Sequence, residues 1–218
     1  PESCELHKLF RRMADAGCTH LVMEVSSHSL TLERVAGIHY DVAVFTNLSQ
    51  DHLDFHGTME NYAAAKRLLF NQSSVGCFNA DDPWTKFMTE GVSCSVTTFA
   101  ALTNDADLTA KDIRMSAAGV RFAAVHGSEL ALTKLSIPGM FSVHNALGVM
   151  SAGLALSVSL EACAEAMSTA EGVKGRLEVV PTDTDYSVII DYSHKPDALE
   201  NVLKTLRPVT QGRLICLF

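Results

Sequence analysis

No stretch of this 218-residue chain reaches the roughly 20 apolar residues that span a bilayer. The nearest approach, 146–160, is interrupted by Gly148, Gly153 and several serines, so no membrane association is expected. Basic side chains are also scarce. The 17 Lys and Arg stand against 25 Asp and Glu, a formal net charge of −8. That balance speaks against a nucleic-acid or acidic-membrane partner, both of which need a basic face. It still leaves room for a nucleotide in a locally basic pocket. The six cysteines, at 4, 18, 77, 94, 163 and 216, form no C-x-x-C pair and lie mostly among apolar residues. They read as reduced thiols, which points to a cytoplasmic setting. Signal-peptide features, internal repeats and low-complexity segments are missing too. So is a G-x-x-x-x-G-K-[ST] loop, which leaves any triphosphate site incomplete within these residues.

What is present describes a globular protein: 47% apolar and 19% charged residues, enough for one well-buried domain and part of another. The chain begins at Pro1 and ends on an apolar strand pattern, 214–218. A buried parallel strand seldom ends a protein, so the sequence is read as the middle of a longer one. Helical and strand patterns alternate, which predicts an α/β fold with a mostly parallel central sheet flanked by helices. Helices are expected over 4–16, closed by Gly17, and 27–36, closed by Gly37. Others are expected from the N-cap Thr58 to 70, from Asp81-Asp82-Pro83 onward, over 143–157 and over 160–171. Strands are expected over 19–25, 41–45 and 75–79. Between 96 and 138, four short strand patterns (96–99, 109–115, 120–125, 129–135) are punctuated by Ala118-Gly119 and His126-Gly127, which predicts a small antiparallel layer. After Gly172 the composition shifts. Polar residues 182–187 read as a linker between a domain over 1–181 and the start of a second α/β domain over 188–218. Strand 188–191, helix 196–206 and strand 213–218 there make one βαβ unit.

The densest chemistry lies in 46–66, TNLSQDHLDFHGTMENYAAAK, between an apolar strand pattern and a helix. Asp, His and Asn are thereby placed at the carboxyl end of a strand, where open α/β sheets put ligands. Glu24, in MEVSSHSL, also ends a strand pattern; it could cap the next helix, or bind Mg²⁺, which prefers carboxylate, water and phosphate oxygens. His52 and His56 have a spacing compatible with zinc, but no HExxH general base accompanies them and no Cys is near, so His52 alone is the better candidate. Lys66 could be an ordinary helix lysine. Near a cation, however, it would repel unless carbon dioxide had converted its neutral amine to a carbamate anion. Asn145, Arg176 and Asp191 are each weak signals. An Asn amide can read an adenine edge, an Arg can hold phosphates bidentately and a strand-terminal Asp can take ribose hydroxyls, so together they suggest a nucleotide.

MEVSSHSL, TNLSQDHLDFHGTMENYAAAK and DYSHKPDAL, in this order, resemble the Mur ligase family of ATP-dependent amide-forming enzymes. Within it they are similar to the branch that adds the third residue of the peptidoglycan stem peptide. The resemblance covers essentially the whole chain, as most of a central ATPase domain plus the start of a C-terminal one. It implies that Glu24 and His52 are magnesium ligands and Lys66 a carbamylated lysine, with Lys66 and His52 serving catalysis. It assigns Ser26 and Arg34 to the UDP-N-acetylmuramoyl dipeptide, and Asn145, Arg176 and Asp191 to the base, phosphates and ribose of ATP. The implied reaction passes through an acyl phosphate that an incoming amino acid, meso-diaminopimelate or L-lysine, then attacks. A cytoplasmic monomer acting in cell-wall biogenesis, cell shape and cell division is the accompanying expectation, with these residues alone inactive. Four positions depart from the family pattern: Leu32 for Gln, Gly148 for the second Asn of H-N-x-x-N, Lys174 for Pro and Ser193 for Ala. The competing expectations are a catalytically silent ligand-binding domain and a sibling ligase of the folylpolyglutamate synthetase kind.

Overall fold

A computed structural model describes residues 1–116, 119–170, 172–194 and 196–218. Ala118 of one expected turn, Glu171 at the end of an expected helix and Lys195 of DYSHKPDAL lie outside the described residues. The chain divides into two units, Pro1–Thr97 and Thr98–Phe218.

The first unit opens on α1 (Ser3–Asp15), stopped by Gly17 at φ +86°, a conformation glycine adopts without steric cost. Its apolar side, Leu6 and Phe10, packs on Leu30 and Val35. Leu30 belongs to α2 (Ser27–Thr31), shorter than the sequence suggests because turns replace the helix from Leu32 onward. Strands β1 (Tyr40–Phe45) and β2 (Ser73–Asn79) pair in parallel, Val42 beside Val75 and Val44 beside Cys77. Between them run the single-turn α3 (Leu53–His56), α4 (Met59–Arg67) and a 3-10 turn over Leu68–Gln72. Thr58 caps α4 as the sequence predicts, its hydroxyl accepting from the Asn61 N–H at 3.2 Å. Helix α5 (Thr85–Thr89) starts two residues after Pro83. Phe45, Tyr62, Phe70, Phe78 and Met88 form the core beneath these elements.

In the second unit, the end of β3 (Ser95–Ala100) pairs with β4 (Leu108–Ser116), Phe99 beside Leu108. That pairing is parallel, which corrects the expectation that 96–99 belongs to the antiparallel layer. The antiparallel layer itself is β4, β5 (Gly119–His126) and β6 (Glu129–Leu135). Helices α6 (Met140–Ala155) and α7 (Leu160–Thr169) follow, α7 capped by the Ser159 hydroxyl. The helices approach closely, since a Cβ on Gly153 would sit 2.6 Å from Cys163 Sγ. Then β7 (Glu178–Val180) and β8 (Val188–Ile190) form an antiparallel pair, so residues 182–187 lie in the connection of a hairpin. Helix α8 (Pro196–Leu206) has the bounds its sequence predicts.

The α/β class, with parallel strand pairs, flanking helices and a small antiparallel layer, is the one expected. Two strands are not. Residues 19–25 and 213–218 carry no ladder pairing among the described residues, with Val22 96% and Leu217 98% exposed. Their apolar pattern records strand propensity, but a strand exists only where a second backbone supplies its N–H and C=O partners. The expected βαβ unit at the end is therefore present only as its first strand and helix.

Candidate functional site

In the first unit, the loop after β1 is fixed from below by β2 and the turn that follows it. Asn79 Nδ2 donates to the Thr46 carbonyl at 2.8 Å, and Asp82 Oδ2 accepts from the Leu48 N–H at 3.0 Å. The loop then turns at His52, whose φ of +53° lies in the left-handed region. Its backbone N–H donates to Asp51 Oδ1 at 2.9 Å, and its ring Nε2 stands 3.4 Å from Asp51 Oδ2. The same ring meets His28 edge-to-face at 4.8 Å between centroids and Tyr62 at 6.0 Å.

Lys66 lies one helical turn after Tyr62 on α4, and its Nζ sits 5.2 Å from the Tyr62 ring centroid. Burial pushes the Lys66 ammonium below the usual lysine range, while the nearby carboxylates of Glu24 and Asp51 act in the opposite direction without cancelling the effect. That direction favours the neutral amine, the form able to combine with carbon dioxide. Lys66 also lines a small cavity of about 70 Å³ together with Val25, Thr46 and Asn47. Glu24 is exposed, and among the described residues no hydrogen bond or ion pair occupies its carboxylate. Glu24 and Asp51 are thus each within electrostatic reach of Lys66, and His52 and Lys66 both face Tyr62. No group of three or more His, Cys, Asp or Glu side chains among the described residues is arranged to hold a metal unaided. One free carboxylate, one imidazole and an amine convertible to an anion nevertheless suit a magnesium ion that keeps water or phosphate in its remaining positions.

The two residues expected at the muramoyl dipeptide are engaged locally. Ser26 caps α2, its hydroxyl accepting from the Ser29 N–H at 3.1 Å, and Arg34 Nε lies 3.1 Å from Glu2 Oε1. Leu32, where a polar residue is usual, is half exposed.

In the second unit, Asn145, Arg176 and Asp191 all line a single cavity of about 960 Å³ whose walls include Ile137, Phe141 and Val202. Its size is that of a site for a small organic ligand. Asp191 is held rigidly: the Leu177 N–H donates to Oδ2 at 2.9 Å, the Ser193 N–H to Oδ1 at 2.9 Å, and the Ser193 hydroxyl to Oδ1 as well. Burial alone would raise its carboxyl. The Ser193 hydroxyl, the two N–H groups and the Arg176 charge outweigh it and hold the group below the usual aspartate range. Arg176 lies over the Tyr192 ring, 5.1 Å from its centroid. An apolar chamber with an amide, a guanidinium and an ionised carboxylate is suited to a nucleotide.

Residues 1–153 match the family model of the Mur ligase middle domain, and residues 175–218 that of the Mur ligase glutamate ligase domain. This chain belongs to the Mur ligase family. A UDP-N-acetylmuramoyl-L-alanyl-D-glutamate--2,6-diaminopimelate ligase of Bacillus licheniformis is 42% identical over 98% of the chain and 46% of its own length. A ligase of the same name from Clostridium acetobutylicum is 43% identical over the whole chain and 45% of its own length. The chain therefore spans a little under half the length of the curated Mur ligases it matches. Among solved structures, one such diaminopimelate ligase superposes with a TM-score of 0.84 at 32% identity, over 95% of this chain and 44% of its own. A MurF ligase of Thermotoga maritima, solved in complex with ADP, shares the fold at a TM-score of 0.69 and 20% identity, over 84% of this chain and 42% of its own.

Sequence reasoning passed over several residues of this Mur ligase's two clusters. Tyr62 is one of them, although it stands four residues before Lys66 on one helix, a spacing that places both on one face and is available from the sequence. His28 and Ser27 lie inside MEVSSHSL, but only the fold shows that they meet the 52–56 corner. The contact of Ser193 with Asp191 is likewise a product of folding.

Proposed function

We propose that this chain is the central part of an ATP-dependent ligase that adds meso-diaminopimelate to UDP-N-acetylmuramoyl-L-alanyl-D-glutamate. The observation that carries the reading is its match, along 98–100% of its length, to ligases bearing that activity in their names. The lysine-adding variant of the reaction differs only in the incoming amine. On this reading residues 1–181 are the central domain and 188–218 the start of the C-terminal one, in a monomeric cytoplasmic enzyme of peptidoglycan synthesis.

The chemistry divides between the two clusters. Glu24, His52 and a carbamylated Lys66 hold Mg²⁺, which supplies charge neutralisation at the phosphoryl group being transferred. Asn145, Arg176 and Asp191 take the adenine edge, the phosphates and the ribose hydroxyls of ATP. Ser26 and Arg34 hold the muramoyl dipeptide, Arg34 exchanging its surface partner Glu2 for a substrate carboxylate. With ATP so held, the side-chain carboxylate of the dipeptide's D-glutamate attacks the γ-phosphorus, giving an acyl phosphate and ADP. The amine of the incoming amino acid then displaces phosphate and forms the amide. Electrostatic positioning does most of this work.

The test is product formation by a full-length ligase carrying these residues, supplied with ATP, Mg²⁺, the muramoyl dipeptide and one amino acid at a time. Phosphate release and a tripeptide mass with meso-diaminopimelate are expected, with much weaker turnover of L-lysine. Phosphate release that does not depend on the muramoyl dipeptide would refute the proposal.

A further inference from the structure

His56 bears no role in the chemistry outlined above, yet it touches several of the segments that carry it. It closes α3, four residues after His52, and is 9% exposed, so it cannot itself reach a ligand in solvent. Its Nε2 lies 2.8 Å from the hydroxyl of Ser27, which is 1% exposed and stands three residues after Glu24. Its ring stacks on Tyr62 at 5.2 Å and 26°, and Tyr62 is the ring on which the Lys66 ammonium rests. Its carbonyl accepts from Asn61 Nδ2, also on α4, at 3.0 Å. His28 of α2 contacts both the His56 and His52 rings. Three separate pieces of chain, bearing Glu24, His52 and Lys66, therefore converge on one buried imidazole.

We infer that His56 is a positioning residue, whose buried bond to Ser27 and stack on Tyr62 lock the Glu24, His52 and Lys66 segments into one cation-binding frame. The inference rests on the metal reading of those three residues. Packing alone would ask only for a flat apolar ring at this place. A polar ring paired to a fully buried hydroxyl fixes direction as well as volume, because moving either group out of reach leaves buried polar atoms unpaired. Groups hydrogen-bonded directly to metal ligands typically govern affinity by ten- to a hundredfold, and His56, which acts one residue further out, belongs at the lower end of that range.

Mn²⁺ binding to a full-length ligase carrying these residues, titrated by electron paramagnetic resonance, tests this. His56→Phe keeps the stack and removes the bond; Ser27→Ala removes the bond from the other side; His56→Gln restores an amide within reach of Ser27. His56→Phe and Ser27→Ala should each weaken Mn²⁺ about tenfold. Their combination should be no weaker than either alone, and His56→Gln should recover most of the affinity. Wild-type affinity in folded Ser27→Ala, or losses that simply add, would overturn the inference, and this arm decides even if His56→Phe does not fold. Glu24→Ala separates the two failures. If it leaves Mn²⁺ binding unchanged, the metal reading falls and takes this inference with it. If Glu24→Ala abolishes binding while Ser27→Ala and His56→Phe retain it, the role of His56 alone is wrong.

Discussion

Lys66 gives the sharpest test at the scale of single residues. Lys66→Ala removes the amine and the carbamate it would form, so ligase turnover should fall by on the order of a hundredfold or more, as when a group stabilising transition-state charge is lost. Acetate or formate should restore part of it by standing in for the missing anion; normal turnover in the variant would exclude the carbamate. Asp191 offers a titration. Its carboxyl is lower in the folded state than in the unfolded chain, so it contributes stability that is fully present above the unfolded value of 3.8 and is lost as pH falls through the folded one. Ser193→Ala removes one of the three hydrogen bonds holding it ionised. The Asp191 pKa, followed by carboxyl-carbon NMR, should then rise toward 3.8, and acid unfolding should begin at higher pH. An unmoved titration would show that the Ser193 hydroxyl is not a significant partner. Glu24 and His52 stand out in the sequence by residue type and by their places after apolar runs. Lys66 by itself reads as an ordinary helix lysine and is singled out only by its neighbours and the family resemblance. A depressed lysine is what the carbamate reading requires. The burial that causes it and the contact of Ser193, a departure from the family pattern, with Asp191 depend on which groups the fold brings alongside.

Local elements were most legible where the determinant is itself local. Thr58 as the cap of α4 and the bounds of α8 needed only capping chemistry and helical periodicity. The parallel join of β3 to β4 and the unpaired 19–25 segment depend on which backbone lies alongside, and a pattern of alternating apolar residues carries no such information. Thr58→Ala should cost about 1 kcal/mol, seen as a lower midpoint in urea with unchanged slope. Because α4 carries Tyr62 and Lys66, the same change should weaken Mn²⁺ binding slightly. Gly76, in the middle of β2, is a stricter case. A Cβ there would lie 2.6 Å from a Phe78 ring carbon, 2.8 Å from Phe70 and 2.9 Å from Cys94 Sγ, so the core must shift to admit it. Gly76→Ala should destabilise by about 1–3 kcal/mol as an overpacking change, and a neutral result would mean that these rings move freely.

For the molecule as a whole, the proposed division of labour between units leads to the last test. The candidate metal cluster lies wholly in 1–97, and the cavity lined by Asn145, Arg176 and Asp191 wholly in 98–218. Nucleotide binding and metal-dependent chemistry should therefore be separable by mutation. A ligand that binds only the folded chain stabilises it by about 2.7 kcal/mol at a hundred times its Kd. For a chain of this size, that corresponds to a rise in melting temperature of roughly 5–10 °C. With ATP present in that excess, Lys66→Ala should keep the rise, since the adenine and ribose contacts are untouched. Arg176→Ala and Asp191→Ala should lose most of it, because each removes a charged group from the cavity wall. Asp191→Asn is the control that keeps shape while removing charge, and it should lose less than Asp191→Ala if the ribose hydroxyls are hydrogen-bonded rather than drawn by charge. A rise preserved in Arg176→Ala and Asp191→Ala but lost in Lys66→Ala would place the nucleotide chiefly against the first unit and reverse the assignment of the two clusters.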